Sequence, residues 1–421
     1  MNEMKSSDNS QSLLVHFPGL TAAMRLLCLS NGHGEDRIAG TILAALQRQQ
    51  PDVVLRALPL VGTGQTYRQL GIPLVGPARN LPSGGFLSNG WAQDVQAGLW
   101  RLVRQQWQAV RAWARQNPRG LVLAVGDIWP LWLAWQSGRR FIFVATAKSE
   151  YHLRDEQGPL PKTHCGEGWA GSVFYPWERW LMRRSLVTFP RDELTTTWLK
   201  RWRLPVTWVG NPMMDALEPQ GGLHIPGFAE ALVIVLLPGS RAPEAYRNWD
   251  LILQALPGVV EAVTSPQILF LAAIAPGLDL EPIQAALRRH RWPVWPGVGY
   301  GYGEVGLVVT QGQFNDCLHR AHAGIALAGT ATEQLAGLGK PVVSFPGPGP
   351  QYTARFARYQ QRLLGPSLRL VDKPEAVGPV LQEILTDPDT LNLIAHNGRK
   401  RLGQPGASVA IAQVIRQYLE T

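Results

Sequence analysis

The sequence predicts an α/β protein built from two parallel-sheet units. Short apolar runs alternate with amphipathic stretches in both halves, strand-like runs hand over to helix-like ones through glycine turns, and a Pro/Gly-rich stretch with neither periodicity separates the halves. A chain of 421 residues holds two or three domains of about 100 to 200 residues, and a hydrophobic content of 45% is enough for a core in each.

Residues 1–24 are polar, carry one short apolar patch and lack the basic start, apolar core and cleavage site of a signal peptide, so they are expected to be a disordered prefix. Met24 stands directly before the first strand-like run and is an alternative start. In the first unit, 25–212, strands are expected at 26–30, 53–58, 121–125, 141–145, 186–189 and 206–209. Residues 35–49 read as a helix with acidic side chains in its first turn. Trp91, Val95, Leu99, Leu102, Val103, Trp107 and Val110 share one helical face, which predicts a long helix over 91–113 with a core-facing stripe. Residues 213–228 are expected to be the interdomain linker. The second unit, 229–421, has strands at 232–237, 268–272, 307–310, 324–327 and 341–345, and a tail over 374–419 whose helices pack back across the linker.

Composition narrows the function. Cys28, Cys165 and Cys317 lie far apart, with no CxxC and no His cluster at ligand spacing, so neither a disulfide framework nor a metal site is readable. The longest strictly apolar runs, such as 231–237, are too short to cross a bilayer, which takes about 20 residues. Over residues 26–210, 22 Lys or Arg stand against 12 Asp or Glu, whereas 211–421 are nearly balanced, and thirteen of the sixteen tryptophans fall between Trp91 and Trp208. A basic, Trp-rich first half suits an anionic and partly apolar partner such as a membrane surface; core tryptophans beneath a solvated basic face are the plain alternative. No nucleic-acid-binding motif accompanies the charge.

Four loops can carry chemistry. Ser30-Asn31-Gly32-His33-Gly34-Glu35-Asp36 follows the first strand and opens a helix, at the sheet edge where open α/β folds bind ligands. It has neither the glycine spacing of GxGxxG nor the lysine of a P-loop, and His33 is placed to bond a sugar or act as a base. Asp127 ends a strand between apolar runs, a setting that raises a carboxyl pKa and suits it to take a proton from a hydroxyl; it also suits a helix N-cap. Pro238-Gly239-Ser240-Arg241 offers backbone amides, a hydroxyl and a guanidinium to a diphosphate. Ala328-Gly329-Thr330-Ala331-Thr332-Glu333 lets a phosphate approach a helix start, with Glu333 placed to accept both hydroxyls of a ribose.

Together these motifs resemble the lipid-A-disaccharide synthase family, and more closely its lipid-A-disaccharide-synthase-related branch. The resemblance runs from about residue 26 to the C-terminus through NGHGED, the strand ending at Asp127, Gly210-Asn211-Pro212-Met213-Met214-Asp215, LLPGSR and AGTATEQ. It implies a GT-B fold, two Rossmann-like domains facing a cleft, with acceptor on the N-terminal domain and nucleotide-sugar donor on the C-terminal one. Donor roles then fall to Ser240, Arg241, Gly329, Thr330, Ala331, Thr332 and Glu333, and the role of base to Asp127 or His33. The family's GEASGD loop is replaced here by NGHGED, which is nearer to that of lipid galactosyltransferases and the peptidoglycan glycosyltransferase. Those enzymes also carry a Gln after the last strand, a place taken by Gln351. Asn31, Gly32, Gly34, Glu35, Lys148 and Asn211 are expected on the acceptor side.

The implied activity is inverting, metal-independent transfer of a sugar from UDP to a lipid-linked acceptor, at the inner face of the cytoplasmic membrane and with no cofactor besides the UDP-sugar. The sugar is expected to be of N-acetylglucosamine type, in simple or acylated form. A UDP-galactose or UDP-glucose dependent glycolipid synthase, a UDP-sugar 2-epimerase and a non-catalytic nucleotide-sugar binder are the alternatives. Oligomeric state is not readable.

Overall fold

The computed structural model describes residues 24–80, 95–96, 98–162 and 166–420, and of His33 the backbone alone. The first unit runs β1 (Arg25–Ser30), α1 (His33–Gln49), β2 (Val54–Pro59), α2 (Gln65–Gln69), α3 (Leu99–Gln116), β3 (Leu121–Gly126), α4 (Ile128–Gln136), β4 (Arg140–Ala145), α5 (Pro176–Met182), β5 (Thr188–Pro190) and α6 (Glu193–Lys200). Its strands pair in parallel in the order β2-β1-β3-β4-β5. Every residue of β3 is buried, as a central parallel strand covered by helices on both faces requires.

The second unit runs β6 (Leu232–Leu237), α7 (Glu244–Ala262), β7 (Ile268–Ile274), α8 (Leu280–Arg289), β8 (Val294–Trp295), β9 (Gly299–Tyr302), β10 (Val305–Gln311), α9 (Phe314–Arg320), β11 (Ala323–Ala326), α10 (Thr330–Gly337), β12 (Val342–Ser344), α11 (Ala354–Leu364), β13 (Leu368–Leu370), α12 (Val377–Thr386), α13 (Pro388–Leu402) and α14 (Ala407–Glu420). Its sheet has the order β13-β12-β11-β6-β7-β10-β9-β8, parallel from β13 to β10 and closed at one edge by the antiparallel β8 and β9.

The chain departs from the sequence reading at several points. The strand expected at 206–209 shrinks to one bridge, Val206 beside Thr188, because Gly210 takes a left-handed φ of 97° and turns the chain off the sheet edge toward Ala407. The helix expected over 91–113 is described from Leu99 and continues to Gln116; Trp91 lies outside the described residues. Its buried face includes Gln106, which donates to the Leu60 carbonyl at 2.9 Å, while Trp107 is only half-buried. The β8–β9 hairpin and β13 were not expected, since glycines and short lengths erase their alternation.

The segment 213–228 is packed rather than loose. Met213, Met214, Leu217, Ile225 and Phe228 are buried in a core cluster that contains residues of both units. The last helix does cross back. In α14, Ile411, Ala412 and Ile415 join that cluster, Arg140 donates to the Tyr418 carbonyl at 3.0 Å, and the Asp215 carboxylate accepts the amides of Gly406 and Ser408 at 2.5 Å each.

Candidate functional site at the interdomain cleft

Most of the expected site residues sit in the loops or first helical turns beyond the carboxyl ends of strands, where a parallel sheet leaves its loops open to ligand. The two sheets turn these ends toward one another. A Cβ on Gly34, in the first turn of α1, would lie 3.7 Å from the Thr330 hydroxyl at the start of α10. Glu35 feels the charges of Asp127 in its own domain and of Arg241 and Glu333 in the other, so four expected site residues share one electrostatic neighbourhood. Glu35, expected on the acceptor side, therefore also faces the donor side.

On the N-terminal side, Asp127 caps α4 through Oδ1, which accepts the Trp129 amide at 2.9 Å. The capping reading of Asp127 is thus the one the geometry displays. Burial pushes its carboxyl above the ordinary range, while the Trp129 amide, the Asn31 side chain and the Lys148 charge pull it back. Asn31 lies so close over Gly126 that a Cβ there would stand 1.9 Å from Asn31 Oδ1, and Gly126 has φ 136°, so glycine is required at this strand end. Burial also raises Glu35, opposed by its own backbone amide and increased by Asp127. The backbone of His33 opens α1.

On the C-terminal side, Ser240 is exposed and Arg241 half-buried in the loop after β6. Asn248 of α7 donates to the carbonyls of Pro238 (3.1 Å) and Leu327 (3.2 Å), binding that loop to the one after β11. Gln360 of α11 donates to the carbonyls of Ala328 (3.1 Å) and Gly329 (2.9 Å), so the start of α10 is held from the other flank. Gly329 precedes α10, with Thr330 exposed and Ala331 half-buried in its first turn. Thr332 is buried and its hydroxyl donates to the Ala328 carbonyl at 2.6 Å, which directs it into the helix and away from the cleft. The amides of Gln351 and Tyr352 donate to Glu244 Oε1 at 3.0 and 2.6 Å, fixing the loop after β12.

Across the cleft, Arg191 Nη2, just after β5, meets Glu333 Oε2 at 2.6 Å with both side chains largely buried. Arg191 and the three loop clamps Asn248, Gln360 and Glu244 were not expected. Apart from Pro238, 10 residues before Asn248, the partners named here lie 31 or more residues away, so no local spacing marks them. Two expected acceptor-side residues are engaged elsewhere. Lys148 is held by Glu178 at 2.7 Å and lies over the Tyr175 ring at 4.6 Å, and Asn211 caps the turn Pro212–Met214 by accepting the Met213 amide at 3.1 Å. Gly32 adopts extended backbone with the Glu35 carboxylate folded over it.

Among the described residues no cluster of His, Cys, Asp and Glu is placed to hold a metal ion, and no helix is long and apolar enough to cross a membrane.

No family model matches the chain. It resembles curated lipid-A-disaccharide synthases: 24% identity over 237 residues with that of Solibacter usitatus, covering 52% of this chain and 55% of the relative, and 27% over 255 residues with that of Thiobacillus denitrificans, covering 56% and 63%. The matches thus span only about half the length of the curated relatives. Among solved structures, the calicheamicin glycosyltransferase CalG4 superposes with a TM-score of 0.60 at 16% identity over 95% of this chain and 99% of that one. A putative UDP-N-acetylglucosamine 2-epimerase from Listeria monocytogenes gives 0.59 at 14% identity over 95% and 97%. The UDP-GlcNAc 2-epimerase of Neisseria meningitidis, solved with UDP-GlcNAc bound, gives 0.55 at 14% over 94% and 100%. The fold is GT-B, shared by transferases and epimerases.

Proposed function

We propose that this chain is a glycosyltransferase that moves a sugar from a UDP-sugar to a lipid-linked acceptor, as a lipid-A-disaccharide synthase does. The observation that carries the reading is the meeting of Asp127 and Glu35 from one sheet with Arg241 and Glu333 from the other around one cleft. Glu35, whose carboxyl is raised by burial, lies in the fields of Asp127 on its own domain and of Arg241, the guanidinium offered to a departing diphosphate, on the other.

In this reading the Asp127 carboxylate, with His33 as the other candidate base, accepts the proton of the acceptor hydroxyl as its oxygen bonds to the anomeric carbon. The bond from that carbon to the diphosphate oxygen breaks, the UDP leaves with the electron pair, and the configuration inverts in one displacement. Arg241, the Ser240 hydroxyl and the amides at the start of α10 take up the charge on the diphosphate, which makes a metal unnecessary. Glu333 accepts the ribose hydroxyls, and Gln351 contacts the donor sugar.

A membrane-bound acceptor is supported by the surface of the N-terminal domain. Trp169, Trp177 and Trp180 are exposed, Tyr175 stacks on Trp177 at 4.6 Å, and Arg184 lies 3.4 Å over Trp180. Amphipathic rings beside guanidinium groups suit the headgroup layer of an anionic leaflet, and we place the protein on the inner face of the cytoplasmic membrane.

Calorimetric titration with UDP, UDP-N-acetylglucosamine, its diacylated glucosamine derivative and UDP-galactose tests the proposal. Tight binding of the diacylated donor supports lipid A disaccharide synthesis, and preference for a simple UDP-sugar redirects the search to another lipid acceptor. Failure to bind any of them overturns the reading, and C2 inversion of UDP-N-acetylglucosamine without an acceptor would replace it with epimerisation.

A further inference from the structure

We infer that Arg191, contributed by the acceptor-side domain, is a positioning residue of the donor site: it pins the Glu333 carboxylate in the orientation that receives the ribose hydroxyls. The inference rests on the proposed donor reading and extends it to a residue of the opposite domain.

Arg191 is anchored within its own half of the molecule. Its Nη1 donates to the Thr146 carbonyl at 3.0 Å, in the loop after β4, and its Nη2 approaches Met213 Sδ at 3.7 Å at the domain junction. It is buried to 7% exposure, and the buried His152 ring, stacked on Tyr359, lies in its field. The neighbouring Asp192 is committed to its helix, accepting the Thr195 amide at 2.7 Å as the N-cap of α6. Glu333 is the carboxylate with which this fixed guanidinium makes its 2.6 Å contact.

The contact engages Oε2. A carboxylate offers about four lone-pair directions, so one N–H leaves capacity for two hydroxyls while removing the freedom of the carboxyl plane to rotate. The helix that carries Glu333 is registered from the same junction, because the adjacent Gln334 donates to the Met213 carbonyl at 2.9 Å. Met213 therefore contacts Arg191 on one side and, through its carbonyl, the neighbour of Glu333 on the other. The acceptor carboxylate is in place only when the two domains sit as they do here, so nucleotide affinity reports interdomain geometry.

The test is titration of wild type, Arg191→Ala and Arg191→Lys with UDP and with 2′,3′-dideoxyuridine diphosphate, which lacks both hydroxyls. The expected result is loss of UDP affinity on the order of 10-fold or more in Arg191→Ala, the size of a lost hydrogen bond to a charged group. Partial recovery in Arg191→Lys and no further loss for the dideoxy nucleotide complete the expected pattern. Should Arg191→Ala fail to fold, Arg191→Lys carries the comparison, because it keeps the charge but not the planar fork. Equal losses for the two nucleotides would reduce Arg191 to a domain tie, and unchanged or tighter UDP binding would likewise overturn the inference. Wild-type protein that binds no UDP overturns the donor reading itself, and the inference falls with it.

Discussion

Asp127, half-buried, and Asp36, fully buried, are both carboxylates that desolvation raises, yet their surroundings give them different work. Asp127 has an amide, a side-chain amide and a lysine charge to stabilise its ionised form at the mouth of the cleft. Asp127→Asn keeps a polar cap on α4 and removes the base; nucleotide affinity should stay within about twofold while turnover falls on the order of 10²-fold to 10⁴-fold. A fully active variant would shift the role of base to His33. Asp36 instead receives the Ser30 hydroxyl at 2.5 Å inside the domain, and burial pushes its carboxyl up to about 7. A carboxyl raised on folding binds a proton that the unfolded chain has already released. Its stabilising contribution is complete below about pH 4 and is lost as pH rises through 7. Asp36→Asn mimics the protonated form, so the melting temperature of the variant should decline less than that of wild type between pH 4.5 and 7.5. Parallel curves would show that Asp36 titrates normally. At this scale the sequence exposes what one loop carries: NGHGED, Asp127 and PGSR announce themselves by standing between a strand and a helix. Arg191 is invisible there, because its meaning comes from Glu333, in the other domain.

Elements position these residues through close backbone approaches that glycine alone permits. The helix bearing Glu333, α10, packs on α13 at Gly398, where a Cβ would lie 1.9 Å from the Ala336 carbonyl oxygen. On its other side, a Cβ at Gly337 would lie 2.5 Å from Met214 Sδ. Backbone cannot yield to a methyl group as a long side chain can, so Gly398→Ala must push the two helices apart. Overpacking of this kind costs about 1 to 3 kcal/mol, and here it also shifts the carboxylate at the start of α10. The expected outcome is a lower denaturation midpoint together with weaker UDP binding. Ala at Gly138, where nothing lies within 4 Å, strains only a left-handed turn at φ 67° and should leave binding alone. Binding unchanged in Gly398→Ala would mean that α10 is held from its other contacts. The glycines of helices are legible as letters but not as contacts, since the partner helix is set by tertiary packing. The long strands β1, β3, β6 and β7 were legible because a strand buried on both faces leaves an unbroken apolar run. β13, with three residues, leaves too little pattern to read.

The whole molecule is two sheets held at a fixed relation by a shared core, by α14 and by ion pairs between the domains, among them the largely buried Arg191–Glu333 and Arg362–Glu167. Arg191–Glu333 cannot be the main source of that rigidity: a buried pair returns little net stability, although deleting one partner costs about 3 to 5 kcal/mol by stranding the other charge. Apolar contact between the domains contributes more. Ile411 and Ile415 of α14 are fully buried in a cluster that also holds Ile42, Leu43 and Leu46 of α1, so the last helix of the chain fastens itself to the first helix of the other domain. Truncating a buried Ile to Ala costs about 2 to 5 kcal/mol, and replacing it with an unpaired carboxylate costs more because the charge must be desolvated or protonated. Ile411→Asp is therefore expected to release α14 from α1 while α14's neighbours in the second domain remain folded. Small-angle scattering should report a larger radius of gyration, and nucleotide affinity should fall because Arg191 no longer reaches Glu333. The matching control is Val409→Asp on the same helix, at a half-exposed position where a carboxylate stays in water. If Ile411→Asp keeps the wild-type dimensions and affinity, the relation between the sheets is set by the packed segment around Met213 and Met214 rather than by the returning helix.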